Sequence, residues 1–167
     1  GEDSTPYETE AKRIHEAMQR ELWLEDRGWY AEYREYQGLK RAHPAAALWT
    51  VYHTIDSRVP DPFQAYRTLR YVDTHLARIP VRGPGVPKGD WFTVPSTNWV
   101  PYEWSLNNVY LGETGHTALA YWQGGRADVA WRLWKGTLLD SMFMGLNPGS
   151  MPNLSQYDVY RRETYRD

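Results

Sequence analysis

The chain is organised around residues 96–123, which read STNWVPYEWSLNNVYLGETGHTALAYWQ. Pro101 disfavours helical geometry in the residue before it, and nothing after it breaks the run until the two glycines at 124–125. The pattern therefore predicts a helix from Tyr102 to Gln123, with small residues on one side and aromatic rings on the other.

Glu103 is the carboxylate that this predicted helix start makes most prominent. It would lie in or just before the first turn, where the helix dipole favours negative charge, and Tyr102 and Trp104 flank it. Rings that shield the carboxyl group from water would raise its pKa, as a general acid requires, whereas the dipole alone would lower the pKa and favour a base. The sequence does not decide whether the pKa of Glu103 is raised or lowered, and a simple capping role also stays open.

Length, charge and composition limit the classes of function that the chain can have. The 167 residues predict a single domain, 1–167. A formal charge of −2 gives no electrostatic footprint for nucleic acid, and no apolar run suggests a membrane span. The absence of cysteine excludes disulfides and thiolate metal sites, and the five histidines lack the spacing of a metal motif. We therefore expect no metal and no cofactor.

The aromatic content is the compositional outlier. The chain has nine tryptophans and thirteen tyrosines but only three phenylalanines. Tryptophan and tyrosine combine an apolar face with a polar group, which suits wet, stacking binding surfaces. Some of these rings are expected to fill the core between helices instead.

Helical spacing of apolar residues predicts four further helices, at residues 7–24, 45–55, 63–78 and 126–144. The helix at 45–55 is apolar nearly all round, as a buried helix would be, and the others are amphipathic. Asp61 and Pro62 give the third helix a capping start. Its polar residues, including Asp73, are expected to face water.

Three segments are predicted to be non-helical. Residues 25–28 form a turn, and residues 29–36 form an extended segment or a short hairpin with Glu32 and Glu35 between its rings. Residues 79–93 contain three prolines and three glycines. A loop of that length is either functional or disordered, and its ending in Asp90 and Trp91 favours a functional loop.

Alternation of buried and amphipathic helices predicts an all-α fold, part of an (α/α) toroid. In that architecture the starts of the inner helices surround one funnel-shaped mouth. The residues expected at this mouth are Asp90, Trp91, Asn98, Trp99, Tyr102 and Glu103.

Four stretches carry a family resemblance. They are LWLEDRGWYAEYRE from Leu22, HPAAALWTVYHTIDSRVPDPFQAYRTLRYVDTH from His43, STNWVPYEWSLNNV from Ser96 and HTALAYWQGGRADVAWRLWKGTLLDSMFMG from His116. They resemble part of an uncharacterised family of large bacterial proteins that are similar to six-hairpin (α/α) toroid glycoside hydrolases. Because that family's members are much longer, the resemblance implies an internal fragment, acting in polysaccharide breakdown in the periplasm or at the cell surface.

The function expected from this resemblance is glycoside hydrolysis. Glycosidic cleavage usually needs two carboxyl groups that flank the bond. Glu103 is the first candidate for the acid and Asp90 the second, and the partner carboxylate could also lie in hairpins outside this chain. The side chains expected to contact the sugar are Trp91, Asn98, Trp99, Tyr102, Trp104, Asn107, His53, Glu32 and Glu35.

Other functions remain open at this point. The same rings would serve a carbohydrate-binding or structural helical segment without catalysis, or a helical interaction domain. A lyase or epimerase could also use the same scaffold, because fold does not decide function. An open arc of toroid would expose apolar flanks, so we expect self-association through the helices predicted at 45–55 or 102–123.

Overall fold

The computed structural model describes residues 3–99, 108–141 and 159–161. Its helices are α1 Thr5–Glu21, α2 Leu48–Asp56, α3 Pro62–His75, α4 Leu111–Gln123 and α5 Ala127–Leu139. Its strands are β1 Trp23–Leu24, β2 Trp29–Tyr30, β3 Ile79–Pro80, β4 Phe92–Thr93, β5 Asn108–Tyr110 and β6 Val159–Arg161. They form three antiparallel pairs, β1–β2, β3–β4 and β5–β6.

The prediction of an all-α toroid is wrong, because short antiparallel strands accompany the helices and give the chain a small mixed α/β character. The β3–β4 pair closes the loop at residues 81–91 at its base, and the β5–β6 pair joins segments that lie far apart along the chain. Helical periodicity reports only neighbours within a few turns, so it could not show these long-range pairings.

Helices α2 and α4 pack side by side and run parallel. At one end, Ser96 accepts a hydrogen bond from the backbone N–H of Leu48 at 2.9 Å, and its hydroxyl lies beside Glu113 in the first turn of α4. At the other end, Gln123 Nε2 donates to Asp56 Oδ1 at 2.8 Å. The two helices therefore begin at the same end of the molecule.

Helices α3 and α5 return in the opposite direction. The end of α5 lies at the start of α4, because Thr137 Oγ1 donates to Thr114 Oγ1 at 3.1 Å. The end of α3 lies near the segment after β4, where Asn98 Nδ2 donates to the carbonyl of His75 at 3.4 Å. The main core lies between these helices, and its largest fully buried side chains include Leu48, Val51, Leu69, Tyr71, Val72, Val94, Tyr121 and Leu133.

Helix α2 begins at Leu48, although alanine is the strongest helix former and the alanines at 45–47 were predicted to be helical. Tertiary hydrogen bonds take the backbone groups of these alanines. The Ala45 carbonyl accepts from Trp99 Nε1 at 3.0 Å, the Ala46 carbonyl accepts from Tyr71 Oη at 2.8 Å, and the Ala47 N–H donates to Glu32 at 3.1 Å. These partners stabilise an extended entry into the helix.

Helix α4 begins at Leu111 and not at Tyr102, so the predicted helix start is wrong over residues 108–110. Those residues form β5 and pair with β6. Asn108 and Val109 are weak helix formers, and pairing with a distant strand decides their conformation. The acidic residue in the first turn of α4 is Glu113, and Glu103 lies outside the described residues.

Several local predictions are confirmed. The turn at residues 25–28 joins β1 to β2, and Gly28 adopts the positive φ of 88° that the turn needs. Asp61 caps α3 through a capping box with Gln64. In these segments short-range signals and the tertiary structure agree.

Asp73 was expected to face water, but its side chain is only 6% exposed. It pairs with Arg126 at 2.5 Å and Arg78 at 2.9 Å, and it accepts a hydrogen bond from Tyr121 Oη at 2.9 Å. Burial raises the pKa of Asp73, but the hydrogen bonds and charges of these three partners outweigh burial and leave the pKa below its usual value. Asp73 thereby ties α3 to the α4–α5 hairpin.

No helix in the described ranges is both long enough and apolar enough to span a membrane.

Candidate functional site

The shared start of α2 and α4 brings polar and aromatic side chains together. We call this region the α2–α4 entrance and define it by Glu32, Trp49, Ser96, Trp99 and Glu113. Glu32 follows β2, Trp49 lies in the first turn of α2, and Ser96 and Trp99 lie in the segment after β4. Three separate parts of the chain thus meet at the start of α4.

Glu113 is the most unusual titratable group of this region. Its residue is only 9% exposed, and neither its Oε2 atom nor Ser96 Oγ has a hydrogen-bond partner among the described residues. Burial raises the pKa of Glu113 to about 6; the nearby Ser96 hydroxyl opposes this rise and the negative charge of Glu32 adds to it. Burial thus makes Glu113 a weaker acid than an ordinary glutamate side chain.

Sequence reasoning missed Glu113 because it placed the helix start nine residues too early. One signal could have found it. Glu113 is the one carboxylate in the run VYLGETGHTALAYW, which is otherwise apolar, small or weakly polar. A lone acid in a helix that must be buried is a candidate for a perturbed pKa.

Glu32 has a different environment, because hydrogen-bond donors surround its carboxylate. It accepts from the Ala47 N–H at 3.1 Å, from Trp49 Nε1 at 2.5 Å and from the Thr50 hydroxyl. Helix α2 has no side-chain cap of its own, so Glu32 supplies the acceptor that a capping residue would give. It therefore holds the start of α2 in place as well as bringing negative charge to the entrance.

Aromatic rings form one wall of the entrance. Trp99 meets Trp49 edge to face, with ring centroids 5.9 Å apart, and meets His43 in the same way at 5.2 Å. Tyr33 stacks on His43 at 5.1 Å. Edge-to-face and stacked pairs of this kind fix ring orientation, so the wall is held in a defined shape beside Glu32.

Tyr52 lies next to Glu113 on the neighbouring helix. Burial raises the pKa of Tyr52 to about 12, and the negative charges of Glu113 and Tyr110 contribute to this rise. Its ring also contacts that of His116 at 4.9 Å. The phenol therefore stays protonated in the neutral range and remains a possible hydrogen-bond donor.

A groove of about 720 Å³ lies between α1 and α2. Its lining is mostly apolar, and the polar side chains along it include His15, Glu32, Thr50, His53 and Ser57. Glu32 borders both this groove and the entrance, whereas exposed His53 lies farther along α2. The groove has the size of a small-molecule pocket.

The structure brings together only part of the predicted site. Glu32 and Trp99 both contact Trp49 at the entrance, and Asn98 donates a hydrogen bond to the end of α3. Exposed Glu35 accepts a hydrogen bond from the Arg41 N–H. The predicted residues Tyr102, Glu103, Trp104 and Asn107 lie outside the described residues.

Asp90 and Trp91 lie elsewhere, beside a shallow pocket that Arg78, Phe92 and Arg132 also line. Trp91 Nε1 donates to the Pro87 carbonyl at 2.9 Å, which folds the loop back on itself. Neither residue is brought to Glu113 by a contact within the described part of the chain.

In the described ranges no group of three or more histidine, aspartate and glutamate side chains is arranged to hold a metal ion. No protein-family model, curated protein or solved structure matches the chain.

Proposed function

We propose that the α2–α4 entrance binds carbohydrate and cleaves a glycosidic bond by acid–base catalysis, with Glu113 as the acid. The observation that carries the proposal is the buried Glu113 carboxyl group, whose pKa is raised to about 6 by burial and, to a smaller extent, by the negative charge of a second carboxylate, Glu32. Two carboxyl groups in contrasting environments are the usual equipment of glycosidases.

The two carboxyl groups differ in what they can do. Protonated Glu113 would transfer its proton to the leaving glycosidic oxygen as the bond breaks. Glu32 already accepts three hydrogen bonds, so it fits the role of a fixed negative charge that stabilises the positive charge on the sugar ring in the transition state. Water would add to the anomeric carbon and return a proton to the Glu113 carboxylate, which completes the hydrolysis. Glu103, the first candidate for the acid, lies outside the described residues.

The rings of the entrance support a sugar as the ligand. Trp49 and Trp99 combine apolar faces with indole groups that are anchored by Glu32 and the Ala45 carbonyl. Rings held in this way can stack on the C–H face of a sugar without losing much conformational freedom. Tyr52 would add a hydroxyl donor near the acid.

The test is the release of reducing ends from soluble polysaccharides by the full chain and by Glu113→Gln, which keeps the side-chain shape and removes the proton. General-acid catalysis predicts a loss of turnover of about 10²-fold or more with binding retained. Wild-type turnover should also fall as the pH rises above about 6, because the acid must be protonated. Glu10→Gln, at an exposed carboxylate of α1, is the matched control and should leave turnover unchanged.

Unchanged turnover of Glu113→Gln would exclude Glu113 as the acid. Saturable binding without release of reducing ends by the wild-type chain would favour the second candidate function, carbohydrate binding without cleavage. The exposed tryptophans of α4 and α5 give that second candidate a separate physical basis.

A further inference from the structure

Three tryptophans on adjacent faces of α4 and α5 form an exposed row, which we call the tryptophan stripe. Trp122, Trp131 and Trp134 are 38%, 46% and 37% exposed. The ring centroids of Trp122 and Trp134 are 6.2 Å apart, and those of Trp131 and Trp134 are 5.5 Å apart. Leu119 and Leu138 are also exposed and lie on the same two helices, so the stripe is part of a larger apolar surface.

The indole N–H groups separate these three residues from the other described tryptophans. Trp23, Trp29, Trp49, Trp91 and Trp99 each donate their indole N–H to an acceptor of the protein. Within the described part of the chain, the indoles of the stripe donate to none. The stripe therefore offers apolar ring faces together with free hydrogen-bond donors, whereas the other rings are already engaged by the fold.

A cation extends the stripe towards the 81–91 loop. Lys135 Nζ lies 5.6 Å from the ring centroid of Trp131 and 4.4 Å from that of Trp91. The lysine therefore bridges the two rings by cation–π contact. Trp91, whose own N–H is engaged by Pro87, therefore lies next to the Trp131 end of the stripe.

We propose that the tryptophan stripe binds a single chain of a neutral, soluble polysaccharide. A sugar ring presents an apolar C–H face for stacking and hydroxyl oxygens that accept hydrogen bonds, which matches exposed indoles with free N–H groups. An acidic peptide or a nucleic acid would call for a cluster of free cations. Lys135 instead lies over two rings, and Arg132, which lines the pocket beside Trp91, pairs with Asp128.

The angles between the ring planes narrow the class of polysaccharide that the stripe can bind. Trp131 and Trp134 are inclined by 32° and Trp122 and Trp134 by 61°. Rings inclined in this way cannot all lie against one flat crystalline surface. A single chain can twist from one ring to the next, so the stripe selects soluble chains over crystalline cellulose.

The stripe is separate from the entrance, although it would take the same class of ligand. Glu113 lies in the first turn of α4 and Trp122 lies near its end. Nine residues of helix place them about 14 Å apart along the axis. The stripe can therefore hold a polysaccharide whether or not the entrance cleaves it.

The test is native gel electrophoresis of the full chain through gels that contain arabinoxylan, xyloglucan, mixed-linkage β-glucan or galactomannan. We expect at least one of these to retard the wild-type chain. The double variant Trp131→Ala/Trp134→Ala should raise the dissociation constant about tenfold or more, as loss of central tryptophans does at binding surfaces. Tyr36→Ala is the matched control, because Tyr36 is 91% exposed and lies on another segment.

The outcomes separate this proposal from the catalytic one. Retardation that survives Glu113→Gln and is lost in the double variant supports the stripe, even when no reducing ends are released. Absence of wild-type retardation in all four gels would overturn the stripe, and so would equal retardation of the double variant. Sedimentation in which the double variant converts a dimer to a monomer without any polysaccharide effect would assign the stripe to a second copy of the chain and would also overturn the proposal.

Discussion

Glu113 lies in the first turn of a helix and is almost completely shielded from water. A carboxylate in the first turn of a helix is ordinarily stabilised by the dipole. At Glu113 burial is the larger effect, because its Oε2 has no hydrogen-bond partner among the described residues and the pKa rises to about 6. Burial therefore decides the direction of the pKa shift of Glu113, whereas Glu103, for which the sequence left that direction open, lies outside the described residues.

The raised pKa of Glu113 predicts a pH dependence of stability. Below its ordinary pKa of 4.5 the group is protonated in both states, and between 4.5 and about 6 only the unfolded chain releases the proton. Stability therefore falls as the pH rises through this window, by about 1 to 2 kcal/mol after allowance for partial solvation. Urea unfolding of wild type and Glu113→Gln at pH 4 and pH 7 measures it. A difference between the two proteins that stays constant with pH would contradict the assignment.

Glu32 is predicted to stabilise the start of α2. Glu32→Ala removes the acceptor of the Ala47 N–H, the Trp49 indole and the Thr50 hydroxyl. We expect a loss of about 1 to 3 kcal/mol in the free energy of unfolding, because buried donors are left without partners. Glu35→Ala is the control and should change stability by less than about 0.5 kcal/mol. Equal urea midpoints for the two variants would argue against the capping role.

Helix α5 packs directly on the backbone of β4, and Gly136 makes this approach possible. A Cβ atom at Gly136 would lie 2.2 Å from the Phe92 carbonyl oxygen and 2.7 Å from the Phe92 nitrogen. Both neighbours are backbone atoms that cannot rotate away. The segment after β4 carries Ser96 and Trp99, so this contact also positions one side of the entrance.

The close contact predicts that Gly136→Ala loses about 1 to 3 kcal/mol of stability through overpacking. Gly115→Ala in α4 is the matched substitution, since no described atom lies within 4 Å of a Cβ at that position. It should gain up to about 1 kcal/mol from the higher helix propensity of alanine. Thermal and urea unfolding give both values, and a Gly136→Ala protein as stable as Gly115→Ala would show that α5 does not approach β4 so closely.

Asp73 links several elements of the molecule at once. Its carboxylate accepts from Arg126 and Arg78 and from the Tyr121 hydroxyl, and these residues lie on different segments from α3. Because the carboxylate is buried, the three partners satisfy a charge that would otherwise be costly.

Asp73→Asn should therefore lose about 3 kcal/mol of stability at neutral pH, because the buried arginine contact loses its charge partner. The pKa of Asp73 is lowered in the folded state, so its contribution is present above the ordinary value of 3.8 and disappears as the pH falls through the folded pKa. The gap between wild type and variant in urea unfolding should narrow below pH 3.8. Asp128→Asn, at an exposed pair with Arg132, is the control and should change stability by less than about 1 kcal/mol at either pH.

Local patterns predicted the presence of α1, α3 and α5, the turn at residues 25–28 and the Asp61 cap. The helix predicted at 7–24 nevertheless ends at Glu21, because Trp23 and Leu24 pair with β2 as strand β1. In each of these segments the deciding interactions lie within a few residues along the chain. Helical spacing, capping residues and a turn glycine all act over that range.

Tertiary contacts decided the extended alanines at 45–47, the strand at 108–110 and the burial of Glu113. The alanines are held by Trp99, Tyr71 and Glu32, and the strand is held by β6. Each deciding partner is distant in sequence, and hydrogen bonds to it outweigh a local helix preference of less than about 1 kcal/mol per residue. For this reason most helices and turns could be predicted from local pattern, whereas the burial of Glu113 at the start of α4 depended on where distant segments of the chain come together.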